Sequence, residues 1–307
     1  MKIRLGLYII VLSFMSRDLY ACDAGGCGAS TALNGAMPDF ENRVLGFRYR
    51  YSNMQTHLGP NQQATYLTKK ERYAILEAWF SWNFGKRLSI MGSIPYTLMQ
   101  QKDALGTSNQ SGLGDIVLQG FYKVGALSQE LSLQKSLRHN IWIGAGIKLP
   151  TGKYHPNAER MTADANYYQL GTGSTDFLFS ALYDGQLDSW GLNISLTYKM
   201  NTTNKDGYWY GHRGNMSASL YYQLRMAEGI SIVPSVGALW DVYGSDLDAG
   251  LPVHASGGRT LFGNIGARIR LLRLQGAAFY QPIMHSNMAA GTAQPADKWV
   301  IQLGWTF

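Results

Sequence analysis

The chain has 307 residues and a formal net charge of +7, with 35 glycines, 19 tyrosines and only 15% charged residues. Its 27 lysines and arginines are scattered rather than clustered, so the basic patch that a nucleic-acid partner requires is missing. After the N-terminus no apolar run approaches the roughly twenty residues of a helical membrane span, which leaves a soluble fold or a closed barrel.

Lys2 and Arg4 precede an apolar run from Leu5 to Phe14, and Leu19-Tyr20-Ala21 ends the segment. This order predicts a secretory signal peptide over residues 1–21, cleaved after Ala21. Residues 22–42 are then a periplasmic N-terminal segment carrying Cys22 and Cys27. In an exported segment these two cysteines can pair as a disulfide, Cys22 can carry lipid, or both can serve as thiolate ligands of a soft metal. Two ligands are too few for a closed metal site.

From Arg43 onward, apolar and polar residues alternate in segments of roughly nine to twelve residues, the length of a tilted membrane strand. In chain order the predicted strands are Arg43–Tyr51, Arg72–Phe84, Arg87–Met99, Leu113–Val124, Asn140–Leu149, Ser174–Tyr183, Trp190–Met200, Asn215–Arg225, Ile230–Tyr243, Arg259–Ile269, Leu272–Pro282 and a last strand ending at Phe307. In that last strand Trp299, Ile301, Leu303, Trp305 and Phe307 share one face. Lys298, Gln302, Gly304 and Thr306 share the other, with Val300 as the exception.

The links alternate in length. Gly85-Lys86, Gly185–Ser189, Ala227–Gly229 and Arg270–Leu271 are short, whereas Ser52–Glu71, Gln100–Gly112, Pro150–Gly173, Asn201–Gly214, Gly244–Gly258 and Ile283–Asp297 are long. Short turns on one side and long loops on the other are the asymmetry of an outer-membrane barrel. Gly125–Leu137 is the one long link on the short side, and a small helix is expected over Leu131–Leu137. A soluble sandwich shares the alternation. It does not share the export signal, the loop asymmetry or the aromatics near strand ends at Trp79, Trp82, Tyr96, Tyr183, Trp190 and Trp240.

With Phe47, Tyr49 and Tyr51 facing lipid, Arg48 and Arg50 point inward. The same reading makes Glu77, Lys148, Asp176 and Arg268 pore-lining candidates with them, and Gln119 and Arg270 also lie in strands or at their ends. Asp115 and Lys123 share a face with Val117 and Phe121, which blurs the polarity of that strand. Loop histidines His57, His155, His212, His254 and His285 lie near methionines, a ligand set suited to copper or nickel if the loops converge. A hydrolase is the rival from another class, with His285-Ser286-Asn287, or Asp246 and Asp248 with His254, as its residue types. No glycine-rich phosphate loop opens a helix, so no cofactor is expected.

Gly112-Leu113-Gly114-Asp115-Ile116-Val117-Leu118-Gln119-Gly120-Phe121-Tyr122-Lys123-Val124 resembles a strand signature of the outer-membrane family known as MetA-pathway of phenol degradation. Gly146-Ile147-Lys148-Leu149-Pro150-Thr151-Gly152-Lys153 resembles that family's strand-to-loop run, and Gly171-Thr172-Gly173-Ser174-Thr175-Asp176-Phe177 the start of its next strand. The resemblance extends in strand order from about Arg43 to Phe307. It implies a barrel that moves small, often hydrophobic, compounds and brings no catalytic residues. The aromatic Phe307 on an amphipathic final strand resembles the signal read by the barrel-insertion machinery.

The expectation is an all-β, antiparallel up-and-down transmembrane barrel of about twelve strands over residues 43–307, in the outer membrane and in contact with its lipid. It would act as a passive or ligand-gated channel for small solutes. The alternatives are an outer-membrane hydrolase or a plugged barrel that binds a ligand or metal.

Overall fold

Residues 42–132, 135–155, 166–253 and 256–307 are described by a computed structural model. The expected signal peptide and the Cys22–Cys27 segment lie outside them.

Alternation produces β1 (Val44–Thr56), β2 (Lys69–Phe84), β3 (Leu88–Asp103), β4 (Gly106–Leu113 and Ile116–Ser132), β5 (Lys135–Leu149) and β6 (Asp176–Leu187). It continues in β7 (Trp190–Met200), β8 (Arg213–Tyr222 and Leu224–Ala227), β9 (Ile230–Tyr243), β10 (Gly258–Leu271), β11 (Leu274–Gln281 and Ile283–Met288) and β12 (Gln294–Thr306). Each strand pairs antiparallel with its sequence neighbours, and β12 returns to pair with β1, as in Phe47 opposite Leu303. The result is a closed 12-strand barrel. Closure satisfies every edge, the condition for backbone to cross a bilayer as strands.

The faces sort by polarity. On β1, Leu45 and Phe47 are exposed while Arg48 and Arg50 are buried. On β12, Trp299, Ile301, Leu303 and Trp305 are all exposed on the outside. Aromatic pairs on the same outer face, Trp190 with Tyr222 and Tyr280 with Trp299, have ring centroids 4.9 Å and 4.5 Å apart. Such a girdle suits the membrane interface.

Four local expectations change. Leu131–Leu137 contains no helix among the described residues: β4 runs to Ser132 and β5 starts at Lys135, because continued ladder pairing with β5 satisfies the backbone that a lone helical turn would leave open. Gln100–Gly112 is no open loop either, since β3 and β4 pair as far as Asp103 with Gly106. Part of the Ile283–Asp297 link is strand, with Ile283–Met288 laddered against β10. Trp79 is buried on the inner face, against Arg48, instead of joining the outer aromatics.

Candidate functional site

The lumen is built by register. Arg48 lies opposite Glu77 on β2 and Gln302 on β12, so three inward side chains meet at one level. Glu77 Oε2 is 3.3 Å from Arg48 Nη1 and 3.4 Å from Arg50 Nη2, and Arg48 Nε donates to Gln302 Oε1 at 3.4 Å. The Arg48 guanidinium also stands 5.4 Å from the centre of the Trp79 ring. Glu77 Oε1 accepts no hydrogen bond among the described residues. One carboxylate thus lies between two guanidiniums at this level.

Across β5, two glycines open a trough. A Cβ on Gly144 would sit 2.5 Å from the Phe121 ring, and one on Gly146 would collide with Gln119. Their absence lets Phe121 and Gln119 lean over β5, and Gln119 Nε2 donates to Ser180 Oγ on β6 at 3.1 Å. Phe121 then packs with Met91, Trp142 and Leu182 as a buried apolar cluster on the inner wall. The mixed face of β4 is thereby explained: Val117 and Phe121 point inward with Asp115, and Lys123 Nζ covers Trp142 at 4.9 Å.

At the loop end, Lys148 on β5 and Asp176 on β6 lie opposite each other and are almost fully buried. Lys148 Nζ is 2.7 Å from Asp115 Oδ2 and 3.0 Å from Asp176 Oδ2, donates to Ser174 O at 2.9 Å, and also donates to Thr172 Oγ1. Asp115 accepts the Gly152 amide on one oxygen at 3.0 Å and the Thr172 amide on the other at 2.9 Å. Asp176 in turn accepts Ser174 Oγ and the Thr202 amide. A Cβ on either Gly152 or Gly171 would come within 2.8 Å of the other's Cα, so both positions require glycine for this approach. Three separate stretches of sequence therefore converge on one lysine, and both ends of the β5–β6 loop are fixed to the wall.

Above this level the loops hold one another. Asp246 accepts the Tyr208 hydroxyl and the Gly211 amide, each at 2.7 Å, and its own amide donates to Ser256 Oγ at 2.8 Å. Burial, and then the Asp246 charge, push the Tyr208 hydroxyl far above the ordinary phenol range, so it stays a donor. Tyr210 donates to Asn166 O at 2.7 Å and Tyr154 to Asn166 Oδ1 at 2.5 Å. Asp246 is thus engaged as an acceptor within the loops, and His254 lies outside the described residues. Ser286 and His285 are neighbours in β11 with side chains on opposite faces, too divergent for a nucleophile and its base. Among the described residues no three His, Cys, Asp or Glu side chains come together as metal ligands.

At the short-turn end a cavity of about 590 Å³ is lined by Ser136, Arg138, Gln186, Asp188, Gln223 and Arg225 among others. Arg268 also faces inward, half-buried, on β10. On the far wall Lys298 Nζ reaches Asp241 Oδ2 at 3.1 Å over the Phe262 ring, which lies 3.9 Å beneath it.

The family model described as "Putative MetA-pathway of phenol degradation" matches residues 48–265. The chain belongs to this family. The match spans the Arg48–Glu77 pair and the whole Lys148 network of this MetA-pathway family member, and stops before Arg268. No curated protein matches the sequence. Among solved structures, an outer membrane channel from Pseudomonas putida F1 is similar with a TM-score of 0.62 at 14% identity, covering 91% of this chain and 100% of that one. The β domain of the Bordetella autotransporter BrkA is similar with a TM-score of 0.53 at 12% identity, covering 87% and 100%. Both likenesses are of fold, that of outer-membrane barrels.

All six pore-lining candidates face inward. Arg48, Arg50 and Glu77 form one cluster, Lys148 and Asp176 a second, and Arg268 stands apart from both. Sequence reading missed the inner apolar cluster, whose signal was the Gly144-x-Gly146 spacing opposite Phe121.

Proposed function

We propose that this protein is an outer-membrane channel for small solutes, hydrophobic ones included, working by passive passage. The carrying observation is a closed barrel whose inner face carries charged and polar side chains, among them Arg48, Glu77, Lys148 and Asp176, inside an apolar outer wall. A polar interior inside a lipid-facing apolar wall is the arrangement of outer-membrane channels. Membership of the family supports this reading. The exposed Phe307, whose amide donates to Arg43 O at 3.0 Å, supports recognition of the last strand by the barrel-insertion machinery.

Single-channel recording of the refolded protein in planar bilayers tests the proposal, after heat-modifiable gel mobility has confirmed a folded barrel. Discrete conductance steps support it. A folded but silent barrel overturns open passage.

A further inference from the structure

The outer face changes character abruptly near the long-loop end of β2 and β3. On β3 the outward side chains are Leu88, Ile90, Ile94, Tyr96 and Leu98, followed by Gln100 and Lys102. Leu88 to Leu98 spans about 34 Å of strand at roughly 3.4 Å per residue, which a tilt of about 40° reduces to roughly the 25 Å of an outer-membrane apolar band. The switch to polar side chains therefore falls at the outer headgroup level.

Register carries that switch across neighbouring strands. Tyr49, Leu76, Tyr96 and Leu113 form one outward row, all of them exposed, and Leu98 lies opposite Ala74 in the next. Arg72, Gln100 and Asn109 make the row beyond, and Lys70, Lys102 and Thr107 the row after that. Lys70 and Lys102 stand directly opposite each other, with Arg72 two residues along the same face, about 7 Å away. All three cations are exposed. Like charges directly opposite on a ladder repel, so the arrangement favours a shared anion.

The carboxylates closest in sequence do not supply it. Glu71, between Lys70 and Arg72, is buried on the inner face, where it accepts from the Tyr73 hydroxyl, from Gln101 Nε2 at 3.1 Å and from Thr56 Oγ1 at 3.2 Å. Asp103 Oδ1 accepts the Leu105 and Gly106 amides at 2.8 Å and 3.0 Å within the β3–β4 hairpin. Arg72 donates to Gln100 Oε1 at 3.4 Å, and Gln100 Nε2 donates to Asn109 Oδ1 at 3.1 Å. This neutral chain orients the guanidinium and leaves most of its five donors open. Neither Lys70 nor Lys102 has a hydrogen-bond or ion-pair partner among the described residues.

We propose that this face of β2 and β3 binds the phosphate headgroup of an outer-leaflet lipid, with Lys70, Arg72 and Lys102 on the phosphate. The acyl chains lie along Leu76, Tyr96, Leu98 and Leu113. A phosphate monoester carries up to two negative charges and three acceptor oxygens, which suits three closely spaced cations. The apolar rows directly beneath select an amphiphile over a free anion. The inference concerns the outer surface and goes beyond the channel reading, since the lipid binds whether or not the lumen conducts.

Native mass spectrometry of the refolded protein in neutral detergent, titrated with lipid A, tests it once heat-modifiable gel mobility has confirmed the fold. The wild type is expected to retain lipid A saturably and its dephosphorylated form far more weakly. K70Q/R72Q/K102Q is expected to lose about a hundredfold in affinity, at about fivefold for each basic side chain at a lipid surface, and K70Q/K102Q about twenty-five-fold. K86Q/R87Q/R273Q removes the same charge from exposed positions at the short-turn rim and should leave the affinity unchanged. No lipid A retained by the folded wild type, equal retention of the dephosphorylated lipid, or an equal loss in both triple variants would each overturn the proposal. Displacement of lipid A by inorganic phosphate at matched concentration would reassign the cations to a free anion and overturn a lipid as the occupant.

Discussion

Lys148 and Asp115 form an ion pair of 2.7 Å that ties β5 to the break in β4, at a site where the lysine is almost fully removed from solvent. Asp176 completes the group at 3.0 Å. A buried pair adds little stability over an apolar replacement of the whole group, but breaking it by removing one partner leaves charge stranded.

Lys148→Met should therefore destabilise the barrel by about 3 kcal/mol, read as a lower denaturant midpoint for loss of the heat-modifiable form. The triple variant K148M/D115N/D176N should recover most of that loss. A triple variant as unstable as the single one would assign the effect to packing rather than charge.

Gly171→Ala tests the loop attachment without removing a charge. Its new Cβ would meet Asp115 Oδ1 at 2.5 Å and the Gly152 backbone at 2.8 Å, so the β5–β6 loop must move off the wall. Faster proteolysis within residues 150–175, with the strands still protected, is the expected outcome. An unchanged cleavage rate would refute the attachment.

His212 makes the loops sensitive to acid. Its Nδ1 accepts the Asn201 amide at 3.1 Å, and the ring packs edge-on against Trp209 at 4.9 Å. Burial lowers its pKa from the ordinary 6.5, with Asp176 opposing the shift. The folded loop therefore binds the proton less readily than the unfolded one, so the stability it contributes is fully present above pH 6.5 and is lost as pH falls through the depressed value. Loop exchange or current noise should rise on mild acidification in the wild type. In His212→Phe that pH step should vanish.

Glu77→Gln removes the charge that offsets Arg48 and Arg50, at 3.3 Å and 3.4 Å. The expected cost is about 3 kcal/mol of stability. If the barrel conducts, the reversal potential in a salt gradient should also shift toward anion preference. A shift toward cations would contradict the inward placement of these arginines.

The wall was legible in sequence because a period of two is a local property: Phe47, Arg48, Tyr49 and Arg50 declare their faces without reference to any partner. The same logic located the inward-facing side chains, since a closed barrel has only two faces to offer. The partner of each side chain was not legible. Glu77 meets Arg48 because β1 and β2 pair in one register, and a slip of one residue would have put its side chain on the other face.

Asp115, Lys148 and Asp176 stood in three separate motifs, and only strand pairing and the glycine contact between residues 152 and 171 brought them to one lysine. The inner apolar cluster depends in the same way on the registers in which β3, β4, β5 and β6 pair. Sequence by itself determined which side of the wall each residue occupies, because side-chain alternation is set by the backbone alone. Tertiary structure decided which residues face each other across the lumen, because that distance depends on register, tilt and strand number summed around the barrel.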